Sequence, residues 1–202
     1  MIFSSPERQA PTKVLEAEPS HLARYSFALQ FIKSTDEVLD APCGSGYGSN
    51  LIGAKAKHIT GIDIDSATIQ HAKEFFNSEN IEFVVGNIEN ISTSFPKASK
   101  FDVVVSFEGI EHLKDREKFL LEVRKKLKPG GHFIVSTPRK PHGSQYHTVE
   151  FSLEEFRDIL SKNFVIEKMF GQIYTDIFDI ESRKENPHSY KRFNFIALCK
   201  PK

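Results

Sequence analysis

The feature that most constrains this chain is a rhythm in which short apolar runs that read as strands alternate with amphipathic runs that read as helices. EVLDA leads through a glycine-rich turn into SNLIGAKA, HITGID into SATIQHAKEFF, IEFVV into a loop ending near Phe95, and FDVVVSF into KDREKFLLEVRKKL. A turn at Lys128-Pro129-Gly130-Gly131 opens the strand HFIVSTP, and SLEEFRDILS, NFVIEKMF and FNFIALCK follow. Alternation of this kind builds βαβ units, because parallel strands need long crossovers. FDVVVSF and HFIVST are almost wholly apolar, as central strands covered on both faces must be. The expectation is an α/β protein with a mostly parallel sheet of about seven strands covered by helices on both faces.

Ahead of this pattern, residues 20–33 (SHLARYSFALQFIK) set Leu22, Tyr25, Leu29 and Ile32 at helical spacing behind Ser20 as N-cap. With the Pro-punctuated start, residues 1–35 read as an N-terminal cap segment on a single domain spanning 1–202. Two stretches break the rhythm, 138–150 (PRKPHGSQYHTVE) and 171–191 (GQIYTDIFDIESRKENPHSYK). Long irregular segments in a compact domain are commonly functional, so both are lid candidates over a substrate, the first mobile when alone.

Composition narrows the function classes. Lys plus Arg and Asp plus Glu both total 27, so the basic excess that drives non-specific phosphate binding is missing and a general nucleic-acid binder is disfavoured. Cys43 and Cys199 make no zinc spacing and no disulfide framework. The start MIFSSPERQAPTK lacks the apolar core of a signal peptide, and no apolar run approaches the roughly 20 residues of a membrane-spanning helix. A soluble, cytoplasmic protein is expected.

The first strand ends in Asp40-Ala41 and runs into Pro42-Cys43-Gly44-Ser45-Gly46-Tyr47-Gly48. Glycines there let the backbone turn sharply beside a ligand at the carboxyl end of the sheet. About twenty residues on, GIDID puts Asp63 and Asp65 at the next strand end, where a carboxylate accepts hydrogen bonds from a ribose diol. Two nucleotide ligands compete. A dinucleotide wants GxGxxG, which this loop lacks, and Asp40 would repel a pyrophosphate while suiting a ligand that carries an ammonium group.

These motifs, in this order, resemble the class I S-adenosylmethionine-dependent methyltransferases. The resemblance runs from about Glu37 to Phe170 through VLDAPCGSGYG, GIDID, GNIENI, FDVVVSFEGIEHL and LKPGGHFIVSTP. It implies a Rossmann-like three-layer α/β/α sandwich whose seven-stranded, mostly parallel sheet has its last strand antiparallel. It also implies that Asp40, Gly44 and Gly46 line the methionine part of the cofactor, that Asp63 holds the ribose and that Ile64 packs on adenine. Asn87 would meet the adenine edge, with Ile88 and Phe107 in the same cofactor set. Pro42 and Asn87 depart from the common residues at their positions. ERQAP with HLARYSFA, CGSGYGS, SFEGIEHL, STP, EFSLEEF and FGQ are similar to small bacterial methyltransferases of sugar and surface-polysaccharide biosynthesis. In that pattern Arg24 pairs with the cofactor carboxylate, the alternative being a solvated helix-face charge.

Methyl transfer is an in-line displacement from a sulfonium, so the protein positions the acceptor and, for an alcohol, removes a proton. Ser106-Phe107-Glu108-Gly109-Ile110-Glu111-His112 sets Glu108 and Glu111 at i and i+3 beside His112, and His147 lies in the loop after the fifth strand. The four side chains form a candidate set for Mg²⁺ or Mn²⁺, as in ExxEH segments of small-RNA 2′-O-methyltransferases and ubiquinone-pathway O-methyltransferases. Alternatively His112 or His147 acts as a base alone, or the glutamates merely cap the next helix. His21, His58, His71, His132, His142 and His188 read as surface or packing residues, and Arg124, Lys125, Lys126 and Lys128 as cations at a helix C-terminus.

The leading expectation is therefore O-methylation of a saccharide or other small hydroxylated acceptor. An RNA terminus and a non-catalytic cofactor-binding module are the alternatives. Tyr146, Tyr174, Phe178 and Tyr190 either stack on a sugar ring or pack the lid.

Overall fold

The structure, a computed structural model, describes residues 9–96, 98–182 and 193–202. Five parallel strands form one half of the sheet: β1 (Glu37–Asp40), β2 (His58–Asp63), β3 (Ile81–Val85), β4 (Phe101–Phe107) and β5 (Leu127–Pro138). Beyond β5 the sheet continues with β6 (Phe164–Ile173), β7 (Asp176–Asp179) and β8 (Asn194–Pro201) in the order β3-β2-β1-β4-β5-β8-β6-β7. β8 lies antiparallel between β5 and β6, as the resemblance implies.

Alternate residues of each strand serve opposite cores, which is why the central strands read as continuous apolar runs. Val38, Val103, Val105, Ile134 and Ile196 face the layer of α1 (Pro19–Ala28), α2 (Tyr47–Gly53) and α3 (Ser66–Phe75). Leu39, Val104, Phe133, Val135 and Phe195 face the layer of α4 (Ile91–Ser94), α5 (Arg116–Lys126) and α6 (Leu153–Ser161). Helix starts follow local capping. Asp65 Oδ1 accepts from Ala67 N (2.9 Å) at α3, and Ser152 and Glu155 form a capping box at α6.

Two sequence expectations change. The sheet has eight strands, not seven, because part of 171–191 is regular. Residues 171–173 complete β6, a turn at Tyr174-Thr175 follows, and β7 pairs back on β6 from Phe170↔Asp179 to Ile173↔Asp176. The remainder of that stretch beyond Ser182, with Tyr190 and His188, lies outside the described residues, as do Glu7 and Arg8. The N-cap of α1 is Glu18 rather than Ser20. Its carboxylate accepts from Ser20 N (2.9 Å) and His21 N (3.2 Å), with Pro19 in the first turn. The loop 138–150 makes backbone hydrogen bonds near both ends. Lys140 N donates to Phe151 O (2.9 Å), and Thr148 N donates to Glu111 O (2.8 Å).

No helix among the described residues is long and apolar enough to cross a membrane.

Candidate active site

The chain leaves β3 and returns to the far side of β1 to form β4, so loops on either side of this switch diverge and open a crevice at the strands' carboxyl ends. A cavity of about 640 Å³ lies there, lined by the β1–α2 loop, the ends of β2 and β4, the Asn87–Glu89 turn, α1 and the 142–147 loop.

One end has the features of a nucleoside site. Asp63 closes β2, its Oδ2 accepting from Gly44 N (3.1 Å) and its Oδ1 from Asp65 N (3.0 Å). Ile64 lines the cavity with 64% of its surface exposed, an apolar area that a flat ring would cover. The Asn87 carbonyl oxygen caps the following turn by accepting from Glu89 N (2.8 Å), so its amide NH₂ is the group left for a ligand. Ile88 and Phe107 also line the cavity. Gly44 has φ +54° and open space where a side chain would project, so its glycine serves both the turn and the cavity.

Three residues assigned to the cofactor stand behind the wall. Asp40 is fully buried and accepts from Ser49 Oγ (2.7 Å) and Tyr25 Oη (3.2 Å), and burial pushes its carboxyl up to about 7. Gly46 abuts Ala72 and Phe83 rather than the cavity. Arg24 is 1% exposed, which excludes a solvated charge. Its Nη2 lies 2.9 Å from Glu108 Oε1, and its Nη1 donates to Gln172 Oε1 (2.8 Å).

This pairing also takes Glu108 out of the expected metal set. Glu108 has φ +51°, a left-handed backbone costing about 1–3 kcal/mol outside glycine. Its carboxylate is held by Arg24, by His21 Nε2 at 3.1 Å and by Asn194 Nδ2 at 2.7 Å. Burial alone would raise its pKa, but Arg24 and then His21 hold it below the usual carboxylate range.

The other three members of the set do converge. Ligating atoms of Glu111, His112 and His147 lie within 4.8 Å of one another, and the His112 and His147 rings are edge-on at 5.0 Å. Glu111 is 1% exposed. Its Oε2 accepts from Thr137 Oγ1 (3.3 Å), its Oε1 has no hydrogen bond among the described residues, and burial, followed by the charge of Glu108, pushes its carboxyl up to about 8. His112 Nδ1 lies 3.1 Å from Tyr146 O, a carbonyl that can only accept. Nδ1 is therefore the donor, and in the neutral ring Nε2 carries the lone pair.

Two histidines that the sequence reads as surface or packing residues line the cavity. His21 bridges Glu108 and Tyr47 Oη (2.9 Å), and His142 stacks on His147. Neither belongs to a local motif. His21 did lie one turn before Arg24 on a predicted helix, and that spacing was the available signal. Of the aromatics proposed for stacking, Tyr146 lines the cavity; Tyr174 and Phe178 do not.

A family model described as a methyltransferase domain matches residues 32–193. The chain belongs to the class I S-adenosylmethionine-dependent methyltransferases. This methyltransferase is 37% identical over 144 residues to a protein of Mycolicibacterium smegmatis named a probable S-adenosylmethionine-dependent methyltransferase, covering 67% of this chain and 54% of that one. It is 33% identical over 102 residues to a ubiquinone biosynthesis O-methyltransferase of Marinobacter nauticus, covering 50% and 43%. The chain thus spans about half the length of the curated relatives it matches. Its fold resembles a solved complex of the Haloferax volcanii Trm112 methyltransferase activator and a methyltransferase, with a TM-score of 0.74, 18% identity and coverage of 93% and 92%.

Proposed function

We propose that this chain transfers the methyl group of S-adenosylmethionine to a hydroxyl of a small acceptor, with a saccharide as the acceptor class. The observation that carries this reading is the convergence of Glu111, His112 and His147 in the cavity that also holds Asp63. The nucleoside end positions the cofactor; the triad end faces the acceptor. A hydroxyl attacking the sulfonium methyl must lose its proton as the new C–O bond forms. His112 Nε2 is unprotonated in the tautomer fixed by Tyr146, and the deprotonated Glu111 carboxylate or His147 can take the same role. An amine acceptor, by contrast, needs little base.

Of the two expected ions, Mn²⁺ fits the triad better than Mg²⁺, because two of its three donors are imidazole nitrogens, and the buried Glu111 Oε1 without a partner among the described residues is the atom that would face the ion. Such an ion, when bound, acidifies a coordinated hydroxyl. Glu108 takes no part, being committed to Arg24. What supports the saccharide class is Tyr146 on the cavity wall, an aromatic face on which a sugar ring can stack.

The test has two stages. Calorimetry with S-adenosylhomocysteine should give saturable binding. Release of S-adenosylhomocysteine from S-adenosylmethionine is then followed over nucleotide sugars, glycolipids and small hydroxylated acceptors. Binding without turnover on any of them favours the cofactor-binding-module reading; turnover confined to amines rejects the O-methyl assignment.

A further inference from the structure

Beside the triad assigned to methyl transfer, and sharing His147 with it, the rim of the cavity carries a second group of ligating atoms. His142, His147 and Glu150 bring two imidazole nitrogens and a carboxylate oxygen within 4.8 Å of one another. The two rings are stacked, with centroids 4.8 Å apart and planes inclined by 22°, and His147 Nδ1 lies 3.8 Å from Glu150 Oε1. The carboxylate is anchored from its own loop, since His142 N (2.9 Å) and Gly143 N (2.6 Å) each donate to one of its oxygens. Each oxygen retains a further lone pair, and a ligand held by backbone N–H groups has lost little orientational freedom still to be fixed. The loop's ties to Phe151 and Glu111 hold the group in place. His142 is exposed, so an ion reaches this group from solvent without entering the cavity.

We propose that His142, His147 and Glu150 form a rim site for a zinc-class divalent cation, whose occupation withdraws His147 from Glu111 and His112. Two imidazoles and one carboxylate with a position left open to water match the ligand preferences of Zn²⁺ better than those of Mg²⁺. The exclusion follows from His147 itself. A neutral imidazole offers one lone pair, and His147 belongs to both triads, so it ligates on the rim side or on the cavity side but not on both. The binding half of this proposal is independent of the methyl-transfer reading.

The probe is Co²⁺, a spectroscopic stand-in for Zn²⁺, added to chelator-treated protein. One equivalent should bind with visible d–d absorption, and Zn²⁺ should displace it. His142→Gln, at an exposed position where folding is not at stake, should weaken the ion at least about tenfold. Glu150→Gln should do the same, with circular dichroism confirming the fold, whereas Glu111→Gln should leave Co²⁺ affinity unchanged. Loss of the signal in Glu111→Gln but not in His142→Gln overturns the rim assignment, as does the absence of binding in the parent protein. Two equivalents bound at saturation overturn the exclusion.

Discussion

Arg24 Nη2 and Glu108 Oε1 stand 2.9 Å apart although 84 residues of sequence separate them (108 − 24), and this ion pair fastens the opening helix to the end of the fourth strand. The arginine is buried, and the glutamate holds a left-handed backbone conformation. The pair therefore joins the cap segment to the peptide on which the Glu111 and His112 turn is built.

Arg24→Met should leave Glu108 without its cation and cost about 2–4 kcal/mol, toward the low side for a buried pair because Glu108 keeps some contact with water. Urea denaturation reads the loss. Adding Glu108→Gln to Arg24→Met should recover part of it, and a double variant no more stable than the single one contradicts the coupling.

Asp40 should make the ligand-free protein less stable as pH rises from about 4 to about 7. Its carboxyl holds a proton to about 7 in the folded state against an ordinary value of 3.8, so between these limits the unfolded chain binds fewer protons and folding weakens with rising pH. Asp40→Asn removes this component. The difference in denaturation midpoint between variant and parent should shift in favour of the variant across that window, and a constant difference counts against a raised Asp40.

Gly48 packs directly on the Tyr25 ring, and a β-carbon at position 48 would overlap it. Gly48→Ala should cost about 1–3 kcal/mol as an overpacked contact. A thermal melt measures this, and Tyr25→Ala in the same chain should relieve the clash, leaving the cost of the lost ring.

Asp63→Ala should weaken S-adenosylhomocysteine about 10- to 100-fold, the worth of charge-assisted hydrogen bonds to a ribose diol. Calorimetry decides, and unchanged affinity removes Asp63 from the cofactor site.

Glu111→Gln should lower turnover by about two orders of magnitude, in the range of a lost general base, while leaving cofactor affinity within a few fold. His147→Ala distinguishes metal from base: with a metal, chelator and the substitution act alike, whereas activity that survives chelator but not the substitution assigns His147 to proton transfer. The readout in each case is S-adenosylhomocysteine formed per enzyme at saturating cofactor.

Strand β7 shows where local reading stops. DIFD carries a charge at each end, and the turn before it, Tyr174-Thr175, contains none of the Asn-Gly or Gly signals of a two-residue hairpin, Tyr174 itself taking φ +54°. The strand exists because β6 offers it an edge. His142 gave no more warning, since its significance depends on a loop that brings it over His147.

The sequence by itself determined the layered sheet, the succession of its first six strands along the chain, the turn at Gly44 and the acidic residues at the strand ends. Those features depend on hydrophobic period and on backbone conformations that few residue types tolerate, and both are properties of neighbours in the chain. Only the tertiary structure decided which charges meet. Arg24 with Glu108, Asp40 with Tyr25, and Glu111 with His147 are pairings between side chains of elements far apart in the chain or on a returning loop. Their partners are chosen by where the crossovers set each strand end down and by the cost of leaving a buried charge alone, a cost that no local stretch of sequence encodes.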